Sequence, residues 1–341
     1  MSAATEREIA AMRHAIALAE RGFGLTSPNP VVGCVILDDA RRVVGEGFHQ
    51  HAGGPHAEVA ALAAAGPLAR GGTAVVSLEP CRHTGRTGPC TKALIDAGVT
   101  RVVYATSDPS PKAGGGADEL RAAGVEVVGG VLADEAARSN EAWLHFARAG
   151  RPFVTWKFAA TLDGRTAAAD GTSRWITSEA ARADVHRLRA RHDAVMVGTG
   201  TALTDDPALT VRGGVSISRQ PLRVVVGRRG LPSSAKVFDD AAPTLIVKEH
   251  DPDLVLKTLA DRDVVSVLLE GGARLAAAFM AAGRVDKVVG YVAPAFLGAG
   301  APALAAVGVS TIGDILRWHV DDAEIVGGDL RIIARPKRAG E

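Results

Sequence analysis

"PHAEVAAL", Pro55 to Leu62, sets a histidine and a glutamate two residues apart where an alanine-rich helix begins; "EPCRHTGRTGPC", Glu79 to Cys90, follows with two Pro-Cys pairs. His56, Cys81 and Cys90 together offer three donors suited to zinc, one fewer than a closed structural site uses. Cys90 heads a predicted helix, whose free N–H groups and positive dipole end favour the thiolate a metal needs. Three protein ligands leave a position for water, which zinc acidifies toward neutrality and so makes nucleophilic. Glu58 diverges from His56 on the helix and can move protons beside the metal without binding it.

These features match the H-x-E and P-C elements of zinc nucleobase deaminases, in which the glutamate is general acid and base. The second cysteine, however, lies nine positions after the first instead of three, so "RHTGRTGP" must loop out, carrying His83 and Arg86. His14, His49 and His51 compete as metal ligands on composition alone. Neighbouring histidines in a loop such as "HQH" more often bind nothing, and His49 is better read as a substrate contact.

Outward from this centre, "NPVVGCVILDDARRVVGEGFHQ" reads as a strand over residues 31–37, a polar tip at Asp38-Asp39, and a strand over 43–48. "AEVAALAAAG" is helical, "GTAVVSLEP" a strand, "CTKALIDAG" a helix and "VTRVVYATSD" a strand. The order β-β-α-β-α-β predicts a sheet with helices on its faces. A helix over "GADELRAAG" and a strand over "VEVVGG" follow, and "ADEAARSNEAWLHFARAGRP" reads as one helix ending at Gly150.

A chain of 341 residues exceeds what one hydrophobic core usually serves. The Arg-Ala-Gly-Arg-Pro break suggests domains of residues 1–150 and 151–341. With 47% apolar and 23% charged residues, the composition is ordinary for a globular protein. The net charge is +1, with 14 basic against 16 acidic residues up to Gly150 and 25 against 22 beyond it. Neither part carries the basic field of a nucleic-acid-binding protein. No signal-peptide pattern opens the chain and no apolar run is long enough to span a bilayer, so a soluble, cytoplasmic protein is expected. Three cysteines are too few for a disulfide framework at this length.

The second half restarts the pattern, with strands over "RPFVTWKFAATLDG", "DAVMVGTG", "PLRVVVGRR", "APTLIVKEH", "VVSVLLEGG" and "VDKVVGYVAP", helices over "SEAARADVHRLRARH" and "ARLAAAFMAAG", and a closing hairpin around Gly327-Gly328. In "LLEGGARLAAAFM", two glycines between strand and helix let a ligand approach the backbone, and the helix N-terminus attracts phosphate. This is less than a full dinucleotide fingerprint, and a tight turn explains it as well. "VMVGTGTALTDDPALTVR" ends a strand at Gly198-Thr199-Gly200 before Asp205-Asp206-Pro207, which suits either a cofactor contact or a capped turn. Lys157 interrupts an apolar strand. It is either a buried group of lowered pKa or a charge on an edge strand.

"SPNPVVG", "PHAEVAAL" and "EPCRHTGRTGPC" resemble the deaminase half of the bifunctional riboflavin-biosynthesis deaminase/reductase family, and the second-half segments, in this order, are similar to its reductase half. The match runs from about Ala10 to Pro336. The resemblance implies a cytidine-deaminase-like three-layer α/β/α domain, followed by an α/β domain similar to dihydrofolate reductase. It implies zinc on His56, Cys81 and Cys90, with Glu58 as proton shuttle for hydrolytic deamination of a phosphoribosylamino-pyrimidine. Asn29, His49, His83 and Arg86 would line that pocket. Arg82 departs from the small residue usual after the first cysteine.

For the reductase half, the resemblance implies NADPH reduction of the ribosyl to a ribityl side chain. Lys157 and Asp205 would act at the sugar and in proton transfer. Ser173, Arg189, Leu209, Arg212 and Glu270 would hold substrate, the two arginines as a clamp on its phosphate. Ala159, Trp175, Thr201, Asp205 and the run Gly272, Ala273, Arg274 and Leu275 would contact NADPH. The expected partner is a small phosphorylated pyrimidine, without nucleic acid or membrane, and a homo-oligomer is the expected assembly. Two rivals are a nucleobase or tRNA deaminase with an unrelated C-terminal domain, and a non-catalytic nucleotide-binding module with structural zinc.

Overall fold

The computed structural model describes residues 3–83, 88–111 and 113–337. Two compact units divide the chain, Met1–Gly150 and Arg151–Glu341. Among the described residues, no helix is long and apolar enough to cross a membrane.

The first unit is a five-stranded sheet of β1 (Gly33–Leu37), β2 (Val43–Phe48), β3 (Thr73–Leu78), β4 (Arg101–Thr106) and β5 (Glu126–Val128), in the order β2-β1-β3-β4-β5. β1 runs antiparallel to β2 and β3, and β3, β4 and β5 are parallel. The helices are α1 (Glu6–Glu20), α2 (Ala57–Ala65), α3 (Cys90–Asp96), α4 (Gly116–Ala122), α5 (Ala133–Ser139) and α6 (Glu141–Ala149). Strand alternation makes the layers: Val35, Leu37 and Val75 pack with Met12, Ala15 and Ile16 of α1, while Cys34, Ile36 and Val76 pack with Ala57 and Ala61 of α2 and Leu94 of α3. Helices therefore cover both faces. The alanines of α2 have a steric reason, since a Cβ at Gly45 would stand 2.3 Å from the Ala61 carbonyl oxygen and one at Gly47 would stand 2.6 Å from the Ala61 nitrogen. Small residues on both sides let helix and strand meet backbone to backbone.

The expected single helix before Gly150 is two. Asn140 separates α5 from α6; its Oδ1 accepts from the Val31 N–H at 2.9 Å and its Nδ2 donates to the Val31 carbonyl at 2.7 Å. A buried side chain thus satisfies the backbone just before β1, which begins at Gly33, two residues later than expected.

The second unit holds β6 (Phe153–Thr161), β7 (Ala194–Gly198), β8 (Leu222–Val226), β9 (Thr244–Val247), β10 (Ser266–Leu269), β11 (Lys287–Ala293), β12 (Trp318–Val326) and β13 (Asp329–Pro336). Its helices are α7 (Glu179–Ala190), α8 (Thr199–Asp205), α9 (Pro252–Ala260) and α10 (Ala273–Ala281). The sheet order is β12-β13-β11-β6-β10-β7-β8-β9. All neighbours from β11 to β9 are parallel, and the β12–β13 hairpin adds an antiparallel edge. β6 is interior, so Lys157 is not an edge-strand charge. The strand through 194–198 stops at Gly198 and α8 begins at Thr199, whereas a continuous strand to Gly200 was expected. α9 was not foreseen, although Asp251 caps it with Pro252 in its first turn.

Candidate active sites

In the first unit, three local structures bring three donors together. His56 is the N-cap of α2, Cys81 lies three residues beyond β3, and Cys90 opens α3. His56 Nδ1 stands 3.2 Å from Cys90 Sγ and 3.5 Å from Cys81 Sγ. All three ligand atoms lie within 4.8 Å of one another. Donors on a tetrahedral zinc, with bonds of about 2.0 to 2.3 Å, stand about 3.5 Å apart, so these residues fit the ion. The Cys90 thiol hydrogen-bonds to Cys81, and with His56 it outweighs burial to hold Cys81 down at about 4; the same partnership and burial push Cys90 far up.

Glu58 occupies the first turn of α2 and is buried. Burial, and then the negative charge of Cys81, raise its pKa to about 7. A carboxyl so placed can both take and give a proton near neutrality. His49 stacks edge to face with His56, ring centroids 5.4 Å apart. Its Nδ1 lies 2.9 Å from the Pro55 carbonyl, which can only accept, so Nδ1 carries the proton and Nε2 accepts from Asn29 Nδ2 at 3.1 Å. His51 and His14 are exposed, and His14 pairs with Glu46 at 2.6 Å. Neither joins the zinc donors.

Among the described residues, the buried His83 Nδ1 has no hydrogen-bond partner. Arg86 lies outside the described residues. The exposed Arg82 passes its guanidinium over Gly115, where an added Cβ would stand 3.3 Å from Cζ. Glu79, not singled out from sequence, accepts from the Asp108 N–H at 3.1 Å and the Ala117 N–H at 3.0 Å, tying the chain before Cys81 to the 108 loop and α4. Its signal was a glutamate ending an apolar strand directly before Pro-Cys.

In the second unit, Thr201 follows β7, and Glu270 and Gly272 follow β10, at the carboxyl ends of parallel strands, where open α/β sheets bind ligands. Thr155, Lys157 and Ala159 alternate with Val154, Trp156 and Phe158; the latter three face the core of α9 and α10. Glu270 follows β10, the neighbour of β6. Arg189 of α7 donates to it twice, Nε to Oε1 at 2.6 Å and Nη2 to Oε2 at 2.9 Å. Burial acts to raise the pKa of Glu270, but Arg189 and Lys157 overcome it and hold the carboxyl at about 2. Burial lowers the pKa of Lys157, opposed by Glu270.

The "GTGT" and "EGG" segments meet. Thr201 Oγ1 accepts from the Gly272 N–H at 3.0 Å. A Cβ on Gly271 would lie 2.5 Å from the Val197 Cα, so the turn requires glycine. Gly272, the N-cap of α10, and Arg274 are exposed beside half-buried Ala273 and Leu275. Asp205 ends α8, its carbonyl accepting from Arg174 Nη2 at 2.9 Å, and Ser173 is half-buried. Trp175 is exposed under the Arg182 guanidinium, 4.3 Å from the ring centroid. Leu209 is buried with φ 52°. Arg212 is exposed. Arg189 Nη1 also donates to the Thr210 carbonyl at 2.8 Å, so three of its five guanidinium N–H groups are engaged by Glu270 and Thr210.

A family model described as "Cytidine and deoxycytidylate deaminase zinc-binding region" matches residues 5–106, and one described as "RibD C-terminal domain" matches residues 152–331. The riboflavin biosynthesis protein RibD of Mycobacterium tuberculosis is 54% identical over 310 residues, covering 90% of this chain and 91% of that protein. The chain belongs to the RibD family. RibD of Escherichia coli is 40% identical over 355 residues, covering 94% of this chain and 96% of that protein. The solved RibD of Acinetobacter baumannii superposes with a TM-score of 0.91 at 40% identity, covering 98% of this chain and 99% of that one. A Thermotoga maritima structure, titled a diaminohydroxyphosphoribosylaminopyrimidine deaminase/5-amino-6-(5-phosphoribosylamino)uracil reductase, gives 0.90 at 36% identity, covering 97% and 99%. As a RibD enzyme, the chain is a bifunctional deaminase and reductase of riboflavin biosynthesis that uses zinc and NADPH. Neither the tRNA-deaminase nor the non-catalytic alternative survives a match to RibD over 90% of the chain.

Proposed function

We propose that residues 1–150 deaminate 2,5-diamino-6-(5-phosphoribosylamino)pyrimidin-4-one and that residues 151–341 reduce the resulting 5-amino-6-(5-phosphoribosylamino)uracil. His56 Nδ1 and the thiolates of Cys81 and Cys90 would hold the zinc. Bound there, zinc would supply an acidified water as nucleophile for the amino-bearing carbon. The buried Glu58 carboxyl would carry a proton between that water and the departing ammonia. Asn29 and His49 orient the pyrimidine together, since each fixes the other, and His83 lends its unpartnered nitrogen. The observation that carries this reading is one histidine nitrogen within 3.5 Å of both sulfurs, with a buried carboxyl two residues away in sequence.

In the second unit, NADPH supplies a hydride for the ribose C1′. Thr201 and the run from Gly272 to Leu275 receive the cofactor, with Ala159, Trp175 and Asp205 beside it. Lys157 and Asp205 manage the proton at the sugar oxygen. Ser173, Arg189, Leu209, Arg212 and Glu270 hold the substrate, and Arg189 also holds Glu270 ionised. The partner is a free small molecule and neither nucleic acid nor membrane, which the near-neutral charge supports. The enzyme works in the cytoplasm as a homo-oligomer, which sedimentation would measure.

The test is one assay of zinc-loaded protein with the diaminopyrimidinone, following ammonia and NADPH together. Ammonia release followed by NADPH oxidation is expected. Ammonia without NADPH oxidation would overturn the reductase assignment, and neither signal would overturn both.

A further inference from the structure

Residues 207–221 connect α8 to β8 without regular secondary structure, yet they carry two of the proposed substrate contacts, Leu209 and Arg212. Side chains from elsewhere pin this strap. Arg189 Nη1 donates to the Thr210 carbonyl at 2.8 Å. Gln220 grips Val211 on both sides, accepting from its N–H at 2.7 Å and donating to its carbonyl at 3.1 Å. The last hold lies at Arg212 itself, whose N–H donates to His186 Nδ1 at 3.2 Å. His186 and Arg189 stand three apart on α7 and so present one face to the strap.

We propose that His186 is a positioning residue of the reductase: by accepting the Arg212 N–H it sets where the Arg212 guanidinium meets the substrate phosphate. The inference rests on the reading of Arg212 as a substrate contact. An imidazole accepts only through an unprotonated nitrogen, and the imidazolium has no acceptor left. The hold therefore exists in the neutral form alone. The charged groups facing the ring are Arg189 on its own helix, Arg212 on the strap and Glu270 after β10, and the Thr210 backbone also meets it. Burial first, then Arg189 and Arg212, favour the neutral ring and outweigh Glu270 and the Thr210 backbone, which favour the charged one, so its pKa lies below the ordinary histidine value. At neutral pH the strap is held; in acid the ring gains a proton, loses the Arg212 N–H and repels the Arg212 side chain it had positioned.

The test measures kcat and KM for 5-amino-6-(5-phosphoribosylamino)uracil by NADPH oxidation between about pH 5.5 and 8, in the full chain and in His186→Leu, His186→Asn and Arg212→Ala. Asparagine keeps an acceptor, since its Oδ1 stands as many bonds from Cβ as the histidine Nδ1, and it has no proton to gain. His186→Leu should raise KM about five- to tenfold, the effect of one lost hydrogen bond, with kcat within about twofold. His186→Asn should restore KM at neutral pH and lack the acid-side rise of the parent enzyme. The substrate phosphate titrates equally in both, so the difference between them reports the histidine. An unchanged KM in His186→Leu, beside a raised KM in Arg212→Ala, would overturn the inference and leave the substrate site standing. An unchanged KM in Arg212→Ala would overturn the site reading and this inference with it. Should His186→Leu not fold, a parallel acid-side rise in the parent and in His186→Asn would overturn it.

Discussion

Arg189 and Glu270, 81 positions apart, form a bidentate pair of 2.6 and 2.9 Å between a helix and the end of an interior strand. The pair explains how a buried carboxylate stays ionised beside Lys157. Because the Glu270 pKa is depressed in the folded state, its stabilisation is complete above the unfolded carboxylate value of about 4.3. It is lost as pH falls from there toward 2, by about 3 kcal/mol. Thermal denaturation across this window should show the reductase transition falling steeply in the parent and less in Glu270→Gln. At neutral pH that variant should be less stable by about 3 kcal/mol or more, because Arg189 is left buried without its counter-ion. Equal pH slopes would refute the assignment.

Glu58→Gln removes the proton carrier and keeps the three zinc donors. Ammonia release should drop by at least about a hundredfold, while zinc content stays at one per chain. Reduction of the deaminated pyrimidine should proceed at the parent rate. Loss of zinc from this variant, measured by atomic absorption, would mean that Glu58 is a ligand.

Gly271→Ala places a Cβ 2.5 Å from the Val197 Cα and 2.8 Å from the Gly198 nitrogen, both main-chain atoms that no rotamer can move aside. The end of β7 or the turn before α10 must shift. Overpacking of this kind costs about 1 to 3 kcal/mol, and the displaced Gly272 N–H should weaken NADPH binding. Cofactor titration by fluorescence would report it; unchanged affinity and stability would show that the turn tolerates the methyl group.

Asn140→Ala deletes both hydrogen bonds to Val31, leaving a buried N–H and carbonyl unpaired. The expected loss is about 2 to 4 kcal/mol of deaminase-unit stability, read as a lowered denaturation midpoint with zinc affinity retained. A change below about 0.5 kcal/mol would mean that water replaces the amide.

How much of this was legible in the chain differs between the two halves. The zinc centre was readable because each donor belongs to a local structure with its own signature: a helix N-cap for His56, a strand end followed by proline for Cys81, a helix start for Cys90. The order β-β-α-β-α-β likewise announced a sheet with helices on its faces. The helix break at Asn140 was not readable, because its cause is a backbone 109 positions away. α9 could have been found from Asp251-Pro252, a cap and a first-turn proline.

By itself the sequence determined the donor types, the strand and helix periods and the glycine turns, since these depend on chemistry and on neighbours within a few residues. Tertiary structure alone decided which charged groups face each other. β10 follows β9 in the chain but lies between β6 and β7 in the sheet, and that insertion carries Glu270 to Lys157 and Arg189. The same packing turns α7 so that His186 and Arg189 hold the strap. Residue spacing encodes local geometry, whereas strand order emerges only when the whole sheet buries its two faces at once.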